Sequence, residues 1–168
     1  MGVAGCGKSS VGERLAAELG LPLVEGDDFH PPRNTEKMQR GLALTDADRA
    51  DWLQLLCAQL VQNPSGLVLT CSALKLTYRD SLRQAAFNVG RQLYFVHLAV
   101  SQAESLERVA RRKGHFYPPS LVDSQFKTLQ DPSAEQGVLV LQSNRDMDDL
   151  VALAAAWLAE QVGTSERA

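Results

Sequence analysis

The sequence opens on a phosphate-binding motif. Residues 2–9 read Gly-Val-Ala-Gly-Cys-Gly-Lys-Ser, which fits the pattern G-x-x-x-x-G-K-[ST]. In such a loop the glycines let backbone N–H groups point at a phosphate, and the following helix adds the positive end of its dipole. The alternative, a glycine-rich turn before a helix, would bind no ligand. The motif predicts a nucleotide site made by Gly2, Val3, Ala4, Gly5, Cys6, Gly7, Lys8, Ser9 and Ser10. Within it, Lys8 is expected to reach the β- and γ-phosphates and Ser9 to hold Mg²⁺.

Only Met1 precedes this motif in the sequence. A phosphate-binding loop normally leaves the carboxyl end of a buried strand in the interior of a parallel sheet. We therefore expect the first strand to be missing at the N-terminus, and the chain to be truncated or mis-started. The loss would leave two neighbouring strands without a ladder partner. If Met1 is the true start, weakened stability and activity follow.

Composition sets the broad class of the protein. A chain of 168 residues suits one domain, and a net charge of −3 gives no general attraction to nucleic acid or to anionic membranes. The three cysteines are scattered, with no spacing for a disulfide framework or a zinc site, which favours the reducing cytoplasm. The sequence shows no signal peptide and no apolar run of membrane-spanning length. We expect one cytoplasmic domain over 1–162 and a disordered tail over 163–168.

Short apolar runs alternate with amphipathic stretches along the chain. This alternation predicts an α/β fold in which a parallel sheet is flanked by helices on both faces. Strands are predicted at 21–24, 67–70, 93–98 and 138–141. Helices are predicted at 8–19, 35–40, 46–61, 77–87, 102–113, 120–129 and 147–162.

Two carboxylates follow the first of these strands. Asp27 and Asp28 stand in the stretch Gly-Asp-Asp-Phe-His-Pro at 26–31, at a strand end where open α/β sheets build ligand clefts. Phosphoryl transfer to an alcohol needs a group that orients the hydroxyl and accepts its proton, and we assign that role to Asp27. Asp28 is a candidate to hold a magnesium-bound water. The alternative is an Asp-rich turn that caps the next helix.

Further motifs complete a family resemblance that spans most of residues 2–132. Besides the two stretches above they include Trp52-Leu53, Cys71-Ser72-Ala73-Leu74-Lys75, Tyr78-Arg79-Asp80, Gly114-His115-Phe116 and Ser124-Gln125-Phe126. Their order and spacing resemble the gluconokinases of the thermoresistant type, in the shikimate kinase-like group. The resemblance implies ATP-dependent phosphorylation of D-gluconate to 6-phospho-D-gluconate. It also implies a three-layer P-loop kinase fold, like that of nucleoside monophosphate kinases, with a substrate-binding helical segment and a lid.

The acceptor implied by the resemblance is a carboxylate with a row of hydroxyls. Its site needs a cation for one end and polar partners for the rest. Arg49 and Arg79 are the candidates for the carboxylate. Each also stands near a predicted helix start, where an exposed Arg is common. The candidate polar contacts are His30, Lys75 and Gln125, and Lys75 has the alternative of a solvated loop charge.

A basic helix end precedes a loop bounded by Gly and Pro, which is typical of a lid, here about 113–120. Arg108 and Arg112 share one helix face. They resemble the pair that lies beside ATP in these kinases, with Arg112 offsetting charge on the transferring phosphate. The alternative is a favourable interaction of both with the helix dipole. Lid closure would exclude water from the reaction.

Three functions remain open at this stage. The first is a gluconokinase, and the second is a related small-molecule kinase with shikimate or a nucleotide as acceptor. Shikimate is disfavoured because Cys71-Ser72-Ala73 stands where shikimate kinases have a glycine triplet. The third is a nucleotide-binding chain made inactive by the missing strand. Related kinases are often homodimers, but no exposed apolar stripe in this sequence assigns an interface.

Overall fold

The computed structural model describes residues 1–111 and 118–165, with side chains described up to residue 163. Arg112, most of the predicted lid (113–117) and the end of the predicted tail (166–168) lie outside the described residues. The described elements are strands and helices, with one or two α-helices between consecutive strands. In chain order they are α1 (Lys8–Leu19), β1 (Leu23–Glu25), α2 (Pro32–Gln39), α3 (Asp46–Gln62), β2 (Val68–Thr70), α4 (Leu76–Phe87), β3 (Phe95–Ala99), α5 (Gln102–Arg111), α6 (Val122–Thr128), β4 (Val138–Gln142) and α7 (Met147–Ser165).

The predicted α/β architecture is confirmed. Each predicted helix and strand is present, and the differences are at their ends. Helix α2 begins three residues earlier than predicted, at Pro32, because proline suits the first turn of a helix. Helix α7 runs to Ser165, so residues 163–165 of the predicted tail are helical. No helix in the described part of the chain is long and apolar enough to cross a membrane.

The strands form two parallel pairs. Strand β1 pairs with β2, with Leu23 opposite Val68. Strand β3 pairs with β4, with Phe95 opposite Val138. Over the residues described, β2 and β3 do not pair with each other.

Met1 and Gly2 lie between the two pairs. The Met1 amino group donates to the Val96 carbonyl oxygen over 2.6 Å. The Met1 carbonyl accepts from the Leu98 N–H over 3.0 Å, and the Gly2 N–H donates to the Ser72 carbonyl over 3.2 Å. Both strand pairs therefore meet the chain at the start of the phosphate-binding loop.

Helices cover both faces of these strands, giving the three layers expected. On one face α1 and α7 pack through a core that includes Val11, Leu15 and Leu150. On the other face α3 and α4 pack through a core that includes Leu56 and Leu82. Because β1 and β2 run parallel, the turn after β1 and the loop after β2 meet at one edge, beside the phosphate-binding loop.

Candidate active site

The phosphate-binding loop has the backbone that its glycines predict. Gly5 and Gly7 have φ angles of 74° and 93°, in the left-handed region that disfavours other residues. A Cβ atom on Gly5 would also lie 2.9 Å from the carbonyl oxygen of Ser105. Helix α1 starts at Lys8 with no side-chain cap from Gly7. The first N–H groups of this helix can therefore receive an anion.

Two side chains from other helices hold the loop at Ala4. The Gln125 side chain, from α6, accepts from the Ala4 N–H over 2.6 Å. The Ser105 hydroxyl, from α5, donates to the Ala4 carbonyl over 2.7 Å. Ser105 is completely buried and was not predicted as a site residue. Its position four residues before Val109, on the apolar face of α5, is the sequence signal that would have found it.

Lys8 lies close to several groups that favour its positive charge. Burial opposes its charge, but nearby Cys6, Asp27 and Glu25 more than offset that effect, so the pKa of Lys8 is raised. None of the described residues forms a salt bridge with its ammonium group. A protonated Lys8 is therefore available to bind an anionic ligand.

The turn after β1 brings Asp27 to the same place. Residues Gly26–Phe29 form a single 3₁₀ turn. Gly26 is buried where a Cβ atom would lie 2.3 Å from the Thr70 carbonyl oxygen, so only glycine allows this approach to β2. Asp27 is half-buried and lines the cleft with Lys8. Asp28 is exposed and is not among the residues that line the cleft.

His30 lies flat against Trp52 at one wall of the cleft. The ring centroids are 4.6 Å apart and the planes differ by 9°. Burial lowers the pKa of His30 to about 4; Arg49 lowers it as well, while Asp27 acts in the opposite direction. The imidazole is therefore neutral near pH 7. Its buried Nδ1 has no hydrogen-bond partner among the described residues.

Arg49 supplies a cation at the other end of this wall. Its side chain is 12% exposed, and its guanidinium lies 4.0 Å from the carboxylate of Asp46. One Nη donates to the Leu44 carbonyl over 2.7 Å, which fixes the direction of the group. Arg49 follows the capping box of α3, in which Thr45 and Asp48 bond each other. A well-defined helix start thus aims this cation at the cleft.

The cleft itself brings together six of the predicted residues. It lies between the phosphate-binding loop, the turn after β1 and helices α2, α3 and α6. The predicted residues that line it are Ala4, Lys8, Asp27, His30, Arg49 and Gln125. Ser72, Ser124 and Trp52 also line it and were not assigned a role from the sequence.

Lys75 is engaged away from the cleft lining. Its ammonium donates to both carboxylate oxygens of Asp46 over 2.7 Å. The Tyr78 hydroxyl donates to the same carboxylate over 2.5 Å. The hydrogen bond to Asp46 raises the pKa of Lys75. Lys75 therefore joins the loop after β2 to the start of α3.

The structure places Arg79 inside the protein, outside the cleft lining. Its guanidinium is fully buried and pairs with Glu135. It also donates to the Ala73 carbonyl over 2.7 Å and to the Gln130 carbonyl over 3.2 Å. Ala73 has a φ of 45°, the one left-handed residue other than glycine among those described. These bonds direct the donors of Arg79 to Glu135, Ala73 and Gln130, away from the cleft.

Arg108 connects the loop to the segment after β4. One Nη lies 3.4 Å from the Gly5 carbonyl and 3.1 Å from the Ser143 hydroxyl. The other lies 3.3 Å from the Ser143 carbonyl. These contacts put Arg108 beside the phosphate-binding loop.

The residues present fit a magnesium ion held together with a nucleotide. Ser9 lies in the first turn of α1, and no hydrogen bond within the described residues engages its hydroxyl. The described residues include no group of three His, Cys, Asp or Glu side chains that would hold a metal alone. A Ser hydroxyl supplemented by phosphate oxygens and water is the donor set that Mg²⁺ takes in phosphate-binding loops.

Known proteins resemble this chain in sequence and in fold. A family model for an AAA domain matches residues 1–132. A gluconokinase of Gluconobacter oxydans is 44% identical over 151 residues, which cover 88% of this chain and 83% of that protein. The thermoresistant gluconokinase of Escherichia coli is 40% identical, over 90% of this chain and 87% of its own length. The crystal structure of a gluconokinase from Sinorhizobium meliloti superposes with a TM-score of 0.86 at 41% identity, covering 99% of this chain and 93% of the other.

Proposed function

The chain belongs to the gluconokinase family, and we propose that it transfers the γ-phosphoryl group of ATP to the 6-hydroxyl of D-gluconate. The observation that carries the proposal is the cleft between the phosphate-binding loop and α3. One cleft contains the cation of Lys8 from the phosphate-binding loop, a carboxylate in Asp27 and a second cation in Arg49. The carboxylate of a sugar acid can pair with one of these cations, and one of its hydroxyls can donate to the Asp27 carboxylate.

Arg49 is the residue that we assign to the acceptor's carboxylate. Its guanidinium has only a distant carboxylate neighbour, at 4.0 Å, so it has capacity for a second anion. Neutral His30 and Gln125 line the same cleft and suit the hydroxyls of the sugar acid. Lys75 and Arg79 act through the loop after β2, which they fasten, without touching the acceptor.

Asp27 orients the 6-hydroxyl and takes its proton as the reaction proceeds. The acceptor oxygen forms a bond to the γ-phosphorus, and the bond from that phosphorus to the β–γ bridging oxygen breaks, releasing ADP. Lys8 stays protonated and balances negative charge on the phosphate oxygens. Ser9 would hold Mg²⁺, which supplies charge neutralisation to the phosphates when bound. We assign Arg108 to the nucleotide side of the loop, and Arg112 keeps its expected role at the transferring phosphate.

Acceptor binding requires the cleft to widen. In the structure the cleft has a volume of only about 50 Å³, which is too small for a six-carbon acid. Part of its wall comes from Met38 in α2 and from Ala43 and Leu44 in the connection to α3. Outward movement of this wall, away from the phosphate-binding loop, would admit the acceptor while the loop stays anchored at Ala4.

The test is ADP release by the purified chain with Mg-ATP against D-gluconate, other aldonates, shikimate and AMP. We expect turnover with D-gluconate and at least about tenfold lower kcat/KM for the other acceptors. Identification of the product by ³¹P NMR should show a phosphate monoester on a primary carbon. Preferred turnover of shikimate or AMP would replace the proposed acceptor. ATP binding without turnover of any acceptor would support a nucleotide-binding chain that is not a kinase.

A further inference from the structure

A second cavity, of about 750 Å³, separates β2 from β3. Of the described residues, only Lys8 lines both this cavity and the cleft that holds Asp27 and Arg49. Helices close it on both faces, α1 and α7 on one and α4 on the other. The helical side chains that line it include Val11, Leu15, Leu82, Ala86, Ala155 and Leu158.

Backbone edges of the two strand pairs form the remaining walls. The Val68 N–H bonds the Pro22 carbonyl over 2.9 Å on the β1 side, so the polar groups of its neighbour Leu69 face the cavity. The Phe95 N–H bonds the Gly137 carbonyl over 2.8 Å on the β4 side, so the N–H of Val96 faces the cavity from the opposite wall, while the Val96 carbonyl accepts from Met1. Two strand edges thus point at each other across an apolar space.

The contacts of Met1 and Gly2 define the width of this space. Met1 makes the two bonds of a parallel ladder with Val96 and Leu98 of β3. The next residue, Gly2, bonds Ser72 beyond the end of β2. A single backbone therefore reaches both half-sheets, which means that the gap is one strand wide.

We propose that this cavity is an acceptor site for one extended apolar peptide segment, which enters parallel to β2 and β3 with its carboxyl end against Met1. A strand buried on both faces is apolar at successive positions. The walls extend over Leu67–Thr70 on one side and Leu93–Val96 on the other, which corresponds to four to six residues of strand. A small apolar ligand would fill the volume but would offer no hydrogen bond to the facing groups of Leu69 or to the Val96 N–H, which is costly.

Binding of a separate peptide tests the proposal. The probe is a peptide of six Val and Ile residues preceded by two lysines, with a free carboxyl terminus because the Met1 amino group is buried at that end. We expect saturable one-to-one binding by calorimetry and a rise in the Tm of the chain by about 4 °C or more at saturation. No binding up to the solubility limit of the peptide, or binding with no rise in Tm, would overturn the proposal.

Two control peptides separate strand pairing from mere apolar contact. The first has N-methyl groups at alternate residues, which removes backbone donors and preserves the apolar side chains. The second carries Asp at its two middle positions. Both should bind at least about tenfold more weakly than the probe. If the N-methylated peptide and the probe bind with equal affinity, the site binds apolar ligands without strand pairing, contrary to the proposal.

Matched variants on α7 locate the site. Ala155 lines the cavity and Ala156 is exposed on the next position of the helix. Ala155→Phe should weaken peptide binding at least about tenfold by filling the cavity, whereas Ala156→Phe should bind as the parent chain does. Circular dichroism checks that both variants fold. If folded Ala155→Phe binds the peptide as well as the parent chain does, the peptide does not occupy this cavity and the proposal is wrong. These readouts do not use phosphoryl transfer, so the proposed kinase activity and this site can fail separately.

Discussion

The indole Nε1 of Trp52 donates a hydrogen bond to the Gly26 carbonyl oxygen over 2.8 Å. This bond joins helix α3 to the turn that carries Asp27, and the same indole stacks on His30. Trp52 is almost completely buried, so no water replaces the bond if the donor is lost. The position of Asp27, the proposed proton acceptor, thus depends on Trp52, which does not itself react.

Trp52→Phe should separate stacking from hydrogen bonding. Phenylalanine keeps a ring against His30 but leaves the buried Gly26 carbonyl without its donor, at a cost of about 1–3 kcal/mol in unfolding free energy. We expect kcat to fall while the Kd for ATP changes little. Urea unfolding and steady-state kinetics measure the two effects. Trp157→Phe, at the other tryptophan, is the control and should leave kcat unchanged.

Asp27→Asn should lower kcat by about two orders of magnitude or more, because the amide cannot accept the hydroxyl proton. ATP affinity, measured by calorimetry, should stay near that of the parent chain. Asp28→Asn is the matched control, since Asp28 is exposed and does not line the cleft. Near-normal kcat in Asp27→Asn would show that another group receives the proton.

Arg49→Ala should act on the acceptor and not on the nucleotide. Loss of a charge-assisted hydrogen bond costs about 1.5–3 kcal/mol, so the KM for D-gluconate should rise about ten- to hundredfold. The KM for ATP should be nearly unchanged. Arg40→Ala removes an exposed arginine at the end of α2 and is the control. If both variants have the same KM for the sugar acid, Arg49 does not bind its carboxylate.

Glu135→Gln should destabilise the fold without a direct effect at the cleft. The substitution leaves the fully buried guanidinium of Arg79 without a compensating charge, which costs about 3 kcal/mol or more. Glu107→Gln, in an exposed pair with Arg111, should cost under about 1 kcal/mol. Urea unfolding compares the two variants. Similar midpoints would mean that the Arg79–Glu135 pair contributes no more than a surface pair.

Stability should fall as the pH drops from neutral toward 4. Burial lowers the pKa of both His30 and His97 from 6.5 to about 4, so the unfolded chain binds protons at a higher pH than the native one. The contribution of the neutral imidazoles is complete above about pH 6.5 and is lost as the pH falls through 4. Urea midpoints at pH 7 and pH 5 should show the loss. Imidazole NMR titrations centred near pH 6.5 for both residues would contradict it.

The sequence predicts the local parts of this site well. The phosphate-binding loop and the start of α1 at Lys8 follow from eight consecutive residues, because glycine geometry and helix initiation are decided over short distances. The turn with Asp27 was expected at a strand end for the same reason, and the structure places it in the cleft.

The direction taken by basic side chains could not be predicted in this way. Arg49 and Arg79 have similar surroundings in the sequence, each near a helix start. Arg79 is turned inward by Glu135, which lies 56 residues further along the chain. Lys75 is likewise held by Asp46, 29 residues before it. Such pairings depend on tertiary contacts, which a pattern in one segment does not contain.

The two hydrogen bonds of Ala4 link the geometry of the phosphate-binding loop to the positions of helices α5 and α6. Its N–H is held from α6 by Gln125 and its carbonyl from α5 by Ser105. A phosphate group that favours one loop geometry therefore favours one placement of α5 relative to α6. The coupling is reciprocal: if bound nucleotide changes the affinity for a second molecule that draws these two helices together, that molecule changes the affinity for the nucleotide by the same factor.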